Sequence, residues 1–202
     1  MFALIEAAGW PVWPLVLASI IALAIIGERA WSLRRSIVAP RELLGQVVQE
    51  YRQNGANPQL LGRLAGGSPL AQVFAAGLKH VKSTSQVMKE AIDETGRAVA
   101  HDLERFLTTL GTIASISPLL GLLGTVIGMI EIFGSQTPSG GNPIVLAHGI
   151  SIALYNTAMG LIVAIPSMIF YRYYRGKVDT LIVEMESQTV KLVEILHGER
   201  QT

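Results

Sequence analysis

The chain has 202 residues, a net charge of +1, half of its residues hydrophobic and only 15% charged. Soluble domains carry about 25% charged residues, and here the deficit is concentrated, because Glu131 is the single formally charged side chain between Leu107 and Tyr171. That is the pattern of a membrane protein with polar extensions; no dense basic patch exists to neutralise nucleic-acid phosphates, and the lack of cysteine excludes disulfides and thiolate metal sites.

In chain order, the first charge-free stretch is Trp10 to Gly27, about the length that a 30 Å hydrocarbon core demands. A cleaved signal peptide is the alternative. Three features oppose it: no Lys or Arg precedes the stretch, its apolar core is long, and Arg29, Arg34 and Arg35 follow directly. It reads as a retained helix. A cytoplasmic helical region follows over 28–106, with one helix from about Arg41 to Gln53 ending near "NGANP" and a second break at "AGGSP", 65–69. Ser83 with Gln86 forms a candidate capping box. After it, Met88, Ile92, Val99, Leu103, Phe106 and Leu110 step by three, four or seven residues along one apolar stripe. No Gly or Pro separates that stripe from the second membrane segment, which predicts one helix running on from cytoplasm into lipid.

The second membrane helix spans 107–133, charge-free from Leu107 to Ile130, and the third spans 144–171. Between them lies a short Gly/Ser/Pro turn, "GSQTPSGGNP", at 134–143. The tail, 172–202, continues helically with Val178, Ile182, Met185, Leu192 and Leu196 on one face. Arg29, Arg34, Arg35 and Arg41 follow the first span, Arg97 and Arg105 precede the second, and Arg172, Arg175 and Lys177 follow the third. The N-terminal residues 1–9 and the turn carry no basic residue, so the positive-inside rule predicts N-out, C-in. The fold class expected is an all-α integral membrane protein with three membrane helices, the second and third extended into a cytoplasmic bundle.

Helices in lipid associate through small residues that allow close packing. Gly121, Gly124 and Gly128 recur on the second helix beside Ser117, and Gly160 lies among Ala153 and Ala164 on the third. Thr125 and Thr157 sit on these small-residue faces, at broadly similar depths of about 12 and 18 Å from the outer ends. Two readings stay open for the threonines: back-bonding to a carbonyl one turn away, as packing residues, or lining a polar seam. Asn156, Tyr155 and Ser151 add polar groups to the third helix, and Asn156 is costly to leave facing lipid. Pro118 and Pro166 are candidate kinks. Glu131 and His148 lie near the outer ends, where interfacial roles suffice. No carboxylate, lysine or histidine occurs deep in the membrane, so any ion passing here needs an ionisable group from another chain. Walker, Rossmann, metal-spaced and nucleophile-elbow signatures fail, which points away from an enzyme and from a bound cofactor or metal.

"SPLLGLLGTVIGMIEIF" and "GISIALYNTAMGLIVAIP" resemble the membrane signatures of the MotA/TolQ/ExbB proton-channel family, and Glu28-Arg29 with "SPLAQVFAAGL" at 68–78 is similar to its ExbB/TolQ branch. The three-helix layout resembles that branch rather than the four-helix flagellar one. The resemblance implies an ExbB-like subunit of a bacterial inner-membrane motor: a homopentamer whose second and third helices line a pore. That pore would hold an ExbD- or TolR-like single-pass partner carrying the protonatable aspartate, and the proton motive force would energise a TonB-like transducer for outer-membrane transport. The pore threonines it implies are Thr125 in "LGTVIG" and Thr157 in "YNTAMG". Many members carry a glutamate five residues before the second of these threonines; here that position is Ile152. The alternatives are a TolQ-like subunit for envelope integrity and a non-conducting membrane scaffold.

Overall fold

The computed structural model describes residues 10–134 and 143–196, and every regular element among them is a helix. The predicted outer segments, 1–9 and most of the turn at 134–143, lie outside the described residues, as does 197–202. In chain order the helices are α1 Val12–Ser32, α2 Arg35–Val38, α3 Leu43–Asn54, α4 Pro58–Ala65, α5 Pro69–Lys79, α6 Ser85–Glu104, α7 Leu107–Gly134 and α8 Pro143–Leu196. The chain divides into two compact units, Met1–Glu28 with Phe106–Tyr173, and Arg29–Arg105 with Tyr174–Thr202.

The first unit holds the membrane-spanning segments. α1, α7 and α8 are each long and apolar enough to cross a bilayer. Leu17, Ile20 and Leu23 on α1, Leu119, Leu122 and Ile130 on α7, and Ile162, Ile165 and Ile169 on α8 face outward. Apolar faces this continuous belong in lipid. Trp13 and Trp31 mark the two ends of α1 and are both exposed. They stand about 27 Å apart along the helix, close to the thickness of a hydrocarbon core. The protein is a multi-pass membrane protein. α8 is a single helix of 54 residues, as the continuous apolar pattern of the tail predicts.

The second unit is built like a small soluble domain. α5 packs against α4 and α6, and Leu60, Leu70, Phe74, Leu78, Met88 and Leu192 are fully buried. α4 and α5 start where the local chemistry directs them. The Asn57 side chain accepts the Leu60 amide at 2.6 Å, the Ser68 hydroxyl accepts the Ala71 amide at 3.3 Å, and each cap precedes a proline at the first helical position. Gly55, at φ 67°, ends α3 in the left-handed region that the "NG" pair favours. Ion pairs Arg63–Glu50 and Arg35–Glu184, with Arg175–Glu104 at 3.5 Å, lie on its surface.

Two expectations are corrected here. The α6 cap is Thr84, whose hydroxyl accepts the Val87 amide at 3.5 Å, rather than Ser83; Gln86 instead donates to Glu90. More consequentially, the stripe does not run unbroken into the membrane. Arg105 is extended and Phe106 adopts φ 64°, which ends α6 and starts α7 anew. Phe106 is left 41% exposed, whereas Leu103, Leu107 and Leu110 are buried. A left-handed residue costs about 1–2 kcal/mol, and burying a leucine contributes about 1.5–3 kcal/mol. Packing on both sides of the joint therefore outweighs the backbone strain.

Candidate functional site

The site lies where α7 and α8 touch backbone to backbone. A methyl group at Gly121 would come within 2.7 Å of the Asn156 carbonyl oxygen and 3.0 Å of Thr157 Cα; one at Gly160 would come within 2.6 Å of the Ser117 carbonyl oxygen. Gly124 faces the Asn156 side chain and Gly128 faces Ala153. Gly121, Gly124, Gly128 and Gly160 each face the opposite helix, and the approach is closest at two of them: a methyl at Gly121 or Gly160 would meet main-chain atoms of the neighbour.

This approach joins the two threonines. Thr125 Oγ1 and Thr157 Oγ1 are 2.5 Å apart, a short hydroxyl–hydroxyl hydrogen bond. Thr125 Oγ1 also lies 3.2 Å from the Gly121 carbonyl oxygen and 3.1 Å from that of Ala153, and Thr157 Oγ1 lies 3.3 Å from that of Gly121. Four oxygens thus meet around two hydroxyl protons. If Thr157 donates to Thr125, Thr125 donates to a carbonyl; if Thr125 donates to Thr157, Thr157 donates to the Gly121 carbonyl. In either arrangement unused lone pairs remain, so the cluster accepts hydrogen bonds better than it gives them. Both threonines are half-buried, with an edge toward the outside of the helix pair. Thr125 lies within hydrogen-bond distance of the carbonyl one turn back, and both threonines reach across to the other helix.

The other polar residues proposed for the site go elsewhere. Asn156 is 2% exposed and fills the space over Gly124, inside the helix pair. Tyr155 is exposed, and two residues of helix place it about 200° around α8 from Thr157. Ser151 is exposed and donates to the Ala147 carbonyl at 3.0 Å. Helix continuity survives both prolines, each next to a buried serine: Ser117 Oγ donates to the Ile113 carbonyl and Ser167 Oγ to the Val163 carbonyl, both at 2.7 Å. Glu131 and His148 are exposed. Sequence reasoning missed two close approaches between α7 and α8: Gly111 under the Tyr171 ring, where a methyl would meet ring carbon at 3.1 Å, and Gly149 against the Ile132 side chain, where it would meet carbon at 2.6 Å. For the first the signal was present: Gly111, Ala114, Ser117, Gly121, Gly124 and Gly128 form one stripe of small residues. Among the described residues no cluster of histidine and carboxylate side chains could hold a metal.

Residues 66–187, which contain α7, both threonines and all of α8 but its last nine residues, match the model of the MotA/TolQ/ExbB proton channel family. The chain belongs to that family. An ExbB-like biopolymer transport protein of Synechocystis is 33% identical over 168 residues, covering 81% of this chain and 79% of the relative. Biopolymer transport protein ExbB of Vibrio cholerae is 32% identical over 167 residues, covering 79% and 72%. The Tol-Pal system protein TolQ of Pseudomonas aeruginosa is 32% identical over 164 residues, covering 75% and 68%. Within the MotA/TolQ/ExbB family the chain is of the ExbB/TolQ type, in a family of proton channels rather than of catalysts.

Proposed function

We propose that this protein is the proton-path subunit of an ExbB-type motor in a bacterial inner membrane, oriented N-out and C-in. The observation that carries the reading is the Thr125–Thr157 cluster: a lone-pair-rich polar spot between apolar helices, whose partners among the described residues are hydroxyls and carbonyls alone. Threonine hydroxyls do not titrate near neutral pH, so they relay or position a proton and do not store one. The acid then comes from a partner, an ExbD-like single-pass helix whose aspartate, when protonated, donates to these oxygens. A homopentamer would arrange five such clusters around that helix, and the alternation of charged and neutral aspartate would drive the motion passed to a TonB-like transducer. In this reading Thr125 and Thr157 line the path, the glycines set their spacing, and Asn156 locks the register of α7 against α8.

The test is co-reconstitution of the chain with an ExbD-like partner in proteoliposomes. Thr157→Val should reduce proton flux by about tenfold or more, the scale expected for a proton-transfer group, while Thr157→Ser retains most of it. Unchanged flux in Thr157→Val, or a stable homomer that never binds the partner, would overturn the reading.

A second reading, a TolQ-like role in envelope integrity, is favoured by the TolQ relative at the same 32% identity as the Vibrio ExbB. Deletion separates the two: loss of TonB-dependent uptake marks the first, and periplasmic leakage with defective constriction marks the second. A non-conducting scaffold draws on Ile152 at the position where many members carry glutamate, and it predicts that Thr157→Val leaves function intact.

A further inference from the structure

The second unit contains a cleft of about 530 Å³ between α8 and the corner formed by α2 and α3. Three cations line it: Arg35 of α2, Arg41 in the α2–α3 connection, and Lys191 of α8. One carboxylate, Glu184, opposes them and is occupied in an ion pair with Arg35. Arg41 and Lys191 pair with no carboxylate among the described residues, although both face the same cleft. Between them on α8, one turn from Lys191, stand Ser187 and Gln188. The Gln188 side-chain oxygen is buried and meets no donor among the described residues. Turned over, the same amide presents its NH₂ group at that spot. A buried amide end without a partner costs about 1–3 kcal/mol, whereas the nearby hydroxyls of Thr180 and Thr189 on the same helix are back-bonded at 2.9 and 2.7 Å.

We propose that this cleft binds a phosphorylated ligand carrying at least two negative charges. The lining is net cationic by two charges, and its unengaged groups are a guanidinium, an ammonium, a hydroxyl and an amide. Guanidinium binds phosphate oxygens in pairs and ammonium binds them as a point charge. The volume lies within the range of small-molecule sites, and the two cations without a carboxylate partner, Arg41 and Lys191, call for a ligand with at least two negative charges. Nothing in this cleft touches the threonine cluster, and the proposal stands or falls independently of the proton-path reading.

Binding of tripolyphosphate and of pyrophosphate to the full chain in phosphatidylcholine nanodiscs, followed by ³¹P NMR and calorimetry at physiological salt, tests it. Tripolyphosphate should bind, and Arg41→Gln/Lys191→Gln should weaken it by about tenfold or more, the scale of losing charge-assisted hydrogen bonds. Ser187→Ala/Gln188→Leu leaves the charge unchanged and should still weaken binding several-fold, which a diffuse basic surface would not do. Lys82→Gln/Lys89→Gln, on exposed cations outside the cleft, should leave it unchanged. Thermal unfolding confirms that each variant is folded. Repeating the titration in nanodiscs with cardiolipin, whose headgroup carries two phosphates and two negative charges, separates the sources: competition that depends on Arg41 and Lys191 assigns the site to a lipid headgroup, and its absence assigns it to a soluble anion. Absent binding, equal binding by Arg41→Gln/Lys191→Gln, or selective binding of an Asp/Glu-rich peptide in place of tripolyphosphate would overturn the proposal.

Discussion

Gly121→Ala is the substitution in which steric and chemical consequences are most tightly joined. The new methyl carbon would lie 2.7 Å from the Asn156 carbonyl oxygen and 3.0 Å from Thr157 Cα. Both neighbours are main chain, so no side chain can rotate away. Restoring an ordinary contact of about 3.4 Å requires α7 and α8 to part locally by about 0.7 Å, given the close-packed state of protein interiors. Overpacking of this kind costs about 1–3 kcal/mol. The same displacement carries the Thr157 hydroxyl, now 3.3 Å from the Gly121 carbonyl oxygen, beyond hydrogen-bond range. An inter-helix hydrogen bond in lipid contributes about 0.6 kcal/mol on average. Against this, alanine gains about 1 kcal/mol over glycine in helix propensity. The net expectation is a loss of about 0.5–2.5 kcal/mol, read as a lowered unfolding midpoint in detergent and as reduced proton flux in the reconstituted complex. Gly176→Ala on α8 is the matched control, because a methyl there meets nothing within 4 Å and should stabilise by about the propensity difference. Opposite signs support the close-approach geometry. A Gly121→Ala protein as stable and as conductive as its parent would refute it.

Other predictions concern the second unit and the joint. Phe106→Gly should cost less stability than Phe106→Ala, by about 1 kcal/mol, because both remove the ring but glycine alone enters the left-handed region without the Cβ penalty; a glycine variant less stable than the alanine one would refute the break at this residue. Ser68→Ala removes the acceptor for the Ala71 amide and should cost about 1 kcal/mol, measured by thermal unfolding of the full chain. Phe74→Ala empties the centre of the second unit, where the ring is fully buried, and should cost about 3–5 kcal/mol. Hydrogen exchange should then show lost protection in α5 and α6 first.

Much of this protein is written in one dimension. A bilayer reads hydrophobicity and length, so the three spans are legible as charge-free runs such as Leu107 to Ile130. Local chemistry is equally legible: Asn57 and Ser68 each precede a proline and each caps the helix that follows. The glycine stripe announces close packing, since a small residue acts by what it leaves out.

The tertiary structure decided matters that depend on which atoms meet across chain separations that no local pattern encodes. Thr125 and Thr157 are 32 residues apart in sequence, and only the contact of Gly121 with Gly160 brings their hydroxyls to 2.5 Å. Asn156 shares the polar character of Tyr155 and Ser151 yet turns inward over Gly124, because neighbouring helical positions differ by about 100° in direction. The break at Phe106 carries no glycine or proline to mark it, for it arises from burial of Leu103 and Leu107 on its two sides. Composition tells a helix where to dissolve; the packing of one backbone against another tells its hydroxyls whom to face.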